Sequence, residues 1–165
     1  SWNLGDSYMA LGRLDDALAR RPGGEWAVEM HPATATANHA RLYADHGFNR
    51  VSFGVQSFGE EALRAVNRAD QTPAHIEATV AMLAAHRFWI NVDLLQGLPG
   101  DTPETLADSV ARLLDLGVHE IIVYALFPNT PRGSVPGYAP EDHPLEALLG
   151  PLTRVAAPRG APVEH

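Results

Sequence analysis

The chain has 165 residues, 45% of them hydrophobic, with 12 Lys and Arg against 20 Asp and Glu and a formal net charge of −8. These numbers suit one folded domain with a real core rather than a disordered chain. The acidic balance argues against nucleic acid as a partner, and no apolar run reaches the roughly 18 residues that a membrane span needs. The sequence contains no cysteine, so this chain makes no disulfide and no thiolate metal site. No basic-then-apolar leader is visible, which makes a cytoplasmic setting the expectation.

In chain order, Leu11, Leu14 and Leu18 share one side of an expected helix over 11–20. A strand follows at 25–31 (EWAVEMH), then a helix at 36–46 that runs into Gly47, a residue suited to ending it. A second strand spans 50–57 (RVSFGVQS), and 60–66 reads as a short helix. Residues 73–86 open with Pro73 in the first turn and carry Ile76, Val80 and Leu83 on one face. The third strand is 88–95 (FWINVDLL), closed by Gly-Leu-Pro-Gly at 97–100. A helix over 103–116 starts at Pro103 behind a cap at Thr102 or Asp101, with Leu106, Val110, Leu113 and Leu114 as its apolar stripe. The fourth strand is 119–126 (HEIIVYAL). Five prolines between 127 and 144 read as loop, with a short helix near 144–156. Helix and strand alternate four times, which implies parallel strands joined by crossover helices.

Alternate residues of a strand point to opposite faces. One face collects Val28 and Met30, Val51, Phe53 and Val55, and Ile90, Val92 and Leu94. The other collects Ala27, Glu29 and His31, Ser52, Gly54 and Gln56, and Asn91, Asp93 and Leu95. A flat sheet covered by helices on both sides would be apolar on both. A polar face suits the inside of a closed or open barrel, and parallel α/β folds place their sites at the carboxyl ends of the strands. Glu29, Gln56 and Asp93 lie there, and Tyr124 is the candidate from the fourth strand. An ionised, unpartnered Asp93 in a core would cost several kcal/mol, so it must face water, a partner or a ligand. By residue type alone, Glu29 and Asp93 would also serve a hydrolase or lyase as acid and base. Nucleotide fingerprints of the Gly-x-x-x-x-Gly-Lys and Gly-x-Gly-x-x-Gly kinds are absent. The histidines are too scattered for a metal site.

Five strings occur in order: EMHP at 29–32, NRVSFGVQSF at 49–58, VNRADQ at 66–71, NVDLLQGLPGDTPET at 91–105 and IIVYALFPNTP at 121–131. As a set they resemble the radical S-adenosylmethionine proteins of the HemN-like group, the oxygen-independent coproporphyrinogen III oxidases together with the haem chaperones and class C methyltransferases. The resemblance covers 1–131. It implies a partial parallel (β/α)6 barrel with about four βα units present, a core over 1–131 and a loop-rich segment over 132–165. Implied ligands are S-adenosylmethionine and a [4Fe–4S] cluster, with a small-molecule, tetrapyrrole-type substrate and neither nucleic acid nor membrane as partner. Glu29, Gln56 and Asp93 would hold the ribose hydroxyls and amino group. Arg68 would pair with the methionine carboxylate, and Leu95 and Tyr124 would wall the adenosyl pocket. The family reaction is oxidative decarboxylation of a porphyrinogen by a 5′-deoxyadenosyl radical.

The departure from the family is the missing Cys-x3-Cys-x2-Cys loop, together with the Gly-Gly-Gly-Thr-Pro element. Strands three to six of the family barrel match and the first two do not, so the expectation is a truncated radical enzyme, inactive and marginally stable alone. An unpaired edge at 25–31 would add an aggregation hazard. A haem chaperone, a class C methyltransferase of the same group and a cluster-less, non-catalytic remnant are the alternatives.

Overall fold

The computed structural model describes residues 23–126 and 146–162. Four parallel strands form one sheet in chain order: β1 (Ala27–Glu29), β2 (Arg50–Gln56), β3 (Trp89–Gln96) and β4 (Glu120–Ala125). Helices α1 (Ala37–Asp45), α2 (Glu60–Ala65), α3 (Pro73–Ala85) and α4 (Pro103–Asp115) fill the connections, and α5 (Glu146–Ala156) packs on α4. The helix expected over 11–20 lies outside the described residues. Among the described residues no helix is long and apolar enough to cross a membrane.

The helices start where side-chain chemistry supplies acceptors. Thr36, Thr72 and Thr102 each take the backbone N–H three residues on, at 3.3, 3.2 and 3.2 Å. Pro73 and Pro103 follow their caps directly, where a missing N–H costs nothing. Thr102 and Thr105 cap each other reciprocally. Of the two residues expected to cap α4, it is therefore Thr102 that does so.

The core lies between the sheet and these helices. Val51, Phe53, Val55, Ile90, Val92 and Leu94 meet Ile76, Val80 and Leu83 of α3, Leu106, Val110 and Leu113 of α4, and Leu148 of α5. Burial alternates residue by residue along β2, so one face is covered and the other is left more open. β1 is shorter than its expected span because its ladder to β2 runs only from Ala27 to Glu29. His31 serves the next turn, its Nδ1 accepting from the Ala33 N–H at 3.3 Å.

Four helices end in the same way. The N–H groups after the last turn reach back to carbonyls three and five residues earlier around Gly47, Asn67, Arg87 and Gly117, all at positive φ. This is the Schellman arrangement, which usually places an apolar residue next in the chain. Phe48, Phe88 and Val118 fill that place after α1, α3 and α4. After α2 the place is taken by Arg68.

Candidate functional site

The strand register brings the polar residues into rows. Glu29, Ser52, Asn91 and Glu120 lie side by side across all four strands. One step toward the carboxyl ends come Gly54, Asp93 and Ile122, and at the rim Leu95 pairs with Tyr124. Tyr124 is 48% exposed, a large aromatic surface at the mouth. Leu95 packs beside Ala62, Leu98 and Leu126, a small apolar cluster under the rim.

Gln56 breaks the ladder. The register shifts between Gly54 and Gln56, and Gln56 adopts φ +68°, where a non-glycine residue is uncommon. The Ser57 N–H returns to the Val55 carbonyl at 2.9 Å, closing a tight three-residue turn around Gln56. That turn folds the Gln56 amide back over Gly54. A Cβ on Gly54 would stand 2.1 Å from Gln56 Nε2, the free end of a flexible side chain, so an alanine there would push the Gln56 amide aside. Gly54→Ala is therefore expected to displace the Gln56 amide while costing little stability, less than about 1 kcal/mol. A denaturant midpoint checks this, and a loss of about 3 kcal/mol or more would mean that the Gln56 side chain cannot move.

Arg68 reaches the same spot. Its Nη1 donates to the Gly54 carbonyl at 3.1 Å and to Gln71 Oε1 at 3.3 Å. The Schellman end of α2 explains the approach, since the Arg68 N–H is tied to the Leu63 carbonyl at 2.8 Å. Gln56 and Arg68 thus converge on Gly54, the register partner of Asp93.

Burial raises the Asp93 carboxyl above the ordinary aspartate range, opposed next by a hydrogen bond from Asn91, whose Nδ2 donates to Asp93 Oδ1 at 3.1 Å. Glu29 and Glu120 push it further up, and the Arg50 guanidinium pulls it down. Arg50 itself pairs with Glu120 and, at 3.5 Å, with Glu25. Asn91 is buried, and its Oδ1 meets no hydrogen-bond partner among the described residues. The face therefore offers acceptors and one amide toward the mouth, with a guanidinium beside them. That set suits hydroxyl and ammonium donors plus a carboxylate. Among the described residues no three His, Asp or Glu side chains gather as a metal ion would need.

Of the residues expected from the sequence, Gln56, Arg68 and Asp93 come together. Glu29 lies one strand away beside Ser52, and Leu95 and Tyr124 form the rim. Asn91 was legible only as a member of the polar face, and Arg50 and Glu120 were not singled out. The buried anchoring of Gln71 carried no signal beyond its place in VNRADQ.

The Radical SAM superfamily pattern matches residues 5–113. The chain is 36% identical over 115 residues to the oxygen-independent coproporphyrinogen III oxidase of Pseudomonas aeruginosa, covering 69% of this chain and 24% of that protein. It is 33% identical over 139 residues to the heme chaperone HemW of Escherichia coli, covering 80% of this chain and 36% of that one. The solved structure of Escherichia coli coproporphyrinogen III oxidase (HemN), described as a radical SAM enzyme, superposes with a TM-score of 0.81 at 25% identity, over 96% of this chain and 38% of that chain. The chain thus spans well under half the length of these relatives.

Proposed function

The chain belongs to the Radical SAM superfamily, in its HemN-like branch, and from that premise we propose that it is the adenosylmethionine-holding part of a larger enzyme. The observation that carries this reading is the convergence of Gln56 and Arg68 on Gly54, one strand from Asp93. Glu29, Gln56 and Asp93 take the ribose hydroxyls and amino group between them. Arg68 takes the methionine carboxylate with its forked donors. Leu95 and Tyr124 line the adenosyl side, Tyr124 by its exposed ring. The bare Cα of Gly54 is what allows the Gln56 amide to lie flat against the strand, within reach of a bound ligand.

S-adenosylmethionine fits these residues. A [4Fe–4S] cluster does not: thiolates hold such clusters, and the sequence contains no cysteine. The residues in hand bind and orient a ligand, and reductive chemistry has no holder among them. For the complete protein we read oxidative decarboxylation of a porphyrinogen-type substrate, in line with the relatives named as coproporphyrinogen III oxidases. The likeness to a heme chaperone keeps haem handling as the second reading.

Calorimetric titration of the chain with S-adenosylmethionine, beside a spectroscopic titration with haem, tests the proposal. Saturable binding of S-adenosylmethionine is the expected result. Haem binding without any binding of S-adenosylmethionine would overturn it.

A further inference from the structure

Gln71 is a polar side chain only 1% exposed, and both ends of its amide are in use. Its Nε2 donates to the Val55 carbonyl at 2.6 Å, and its Oε1 accepts from Arg68 Nη1 at 3.3 Å. Its own backbone N–H closes a turn onto the Arg68 carbonyl at 2.9 Å. The Val55 carbonyl is also the one that closes the tight turn around Gln56. One buried amide therefore ties the guanidinium to the strand end that carries Gln56.

Among other side chains of similar length, none does both jobs. Glutamate offers Arg68 an acceptor but has no donor for Val55, methionine keeps the length and offers neither, and lysine cannot accept. Without the Oε1 contact, Arg68 keeps only the Gly54 carbonyl among its described partners and can swing about that single bond.

We propose that Gln71 is a positioning residue that fixes the Arg68 guanidinium over Gly54, and so sets how strongly the site prefers an adenosyl ligand carrying a carboxylate over one without it. The inference rests on the proposed adenosylmethionine site and deepens it: Gln71 touches no ligand and acts through Arg68.

The test measures two ligands on the whole 165-residue chain: S-adenosylmethionine, and 5′-methylthioadenosine, which keeps the adenosyl group and lacks the amino-acid end. For Gln71→Met the preference for S-adenosylmethionine should narrow by about tenfold, the factor one charge-assisted hydrogen bond supplies. Gln71→Glu, which keeps an acceptor for Arg68, should retain most of that preference even if both affinities fall. The ratio is the readout because a general loosening of the fold lowers both ligands together. An unchanged ratio in Gln71→Met, or an equal narrowing in Gln71→Glu, overturns the role assigned to Gln71. If the unsubstituted chain binds neither ligand, the adenosylmethionine reading itself fails and takes this inference with it. If it binds both equally, the site stands and the carboxylate-selecting role falls.

Discussion

Asp93→Ala is expected to lower the affinity for S-adenosylmethionine by about a hundredfold and to change how the stability of the fold responds to acid. Two hydrogen bonds from a hydroxyl pair to a carboxylate, at about 1.5–3 kcal/mol each, account for a loss of that size or more. The stability half follows from the raised pKa. Burial, and then Glu29 and Glu120, disfavour the ionised carboxylate in the folded chain, against the hydrogen bond from Asn91 and the charge of Arg50. An acid whose folded pKa lies above its unfolded value weighs against the fold once it is ionised. The penalty is present at neutral pH and is relieved as pH falls through the raised value. The alanine variant lacks that penalty but leaves Asn91 Nδ2 without its acceptor, so its stability relative to the parent chain should fall on acidification. Binding runs the other way: it needs the ionised group and should weaken as pH falls, beginning above the ordinary aspartate range. Calorimetry and denaturation across a pH series read both. A variant that binds within threefold of the parent chain would remove Asp93 from the site.

Phe53→Ala is the substitution expected to cost the most stability, about 3–5 kcal/mol. Phe53 is 1% exposed at the middle of β2, a strand paired on both sides, and it faces the helices. The surrounding core comes from several elements at once, so no single neighbour can collapse into the space left behind. Against a total of about 5–15 kcal/mol for ordinary domains, that loss leaves little. Urea denaturation should show a much lower midpoint. A shift worth less than about 1 kcal/mol would mean that the sheet–helix interface is looser than its burial implies.

The two faces of the sheet were legible because a strand alternates with a period of two, and one misplaced residue would have sent Asp93 into the core. Helix starts were legible from Thr-Pro pairs, since the threonine oxygen and the proline ring each act locally. What stayed hidden depends on contacts distant in sequence. Glutamine has no intrinsic liking for φ +68°, and Gln56 holds it only inside a turn closed at Val55 and braced by Gln71. Alternation put Leu95 on the polar face, yet its neighbours Ala62, Leu98 and Leu126 make its surroundings apolar. Arg68 was legible through a family motif alone. Its physical signature, a charged residue where three sister helices place Phe48, Phe88 and Val118, emerges only once the helix ends are known.

The central claim is that the carboxyl ends of β1 to β4 hold an adenosylmethionine. The most direct measurement is the amide spectrum of the isotope-labelled chain during titration with S-adenosylmethionine. Saturable shifts gathered at Glu29, Gln56, Arg68, Asp93, Leu95 and Tyr124 are the predicted result. No shifts at saturating ligand, or shifts confined to the opposite side of α2 around Phe58, Glu60 and Arg64, would contradict it.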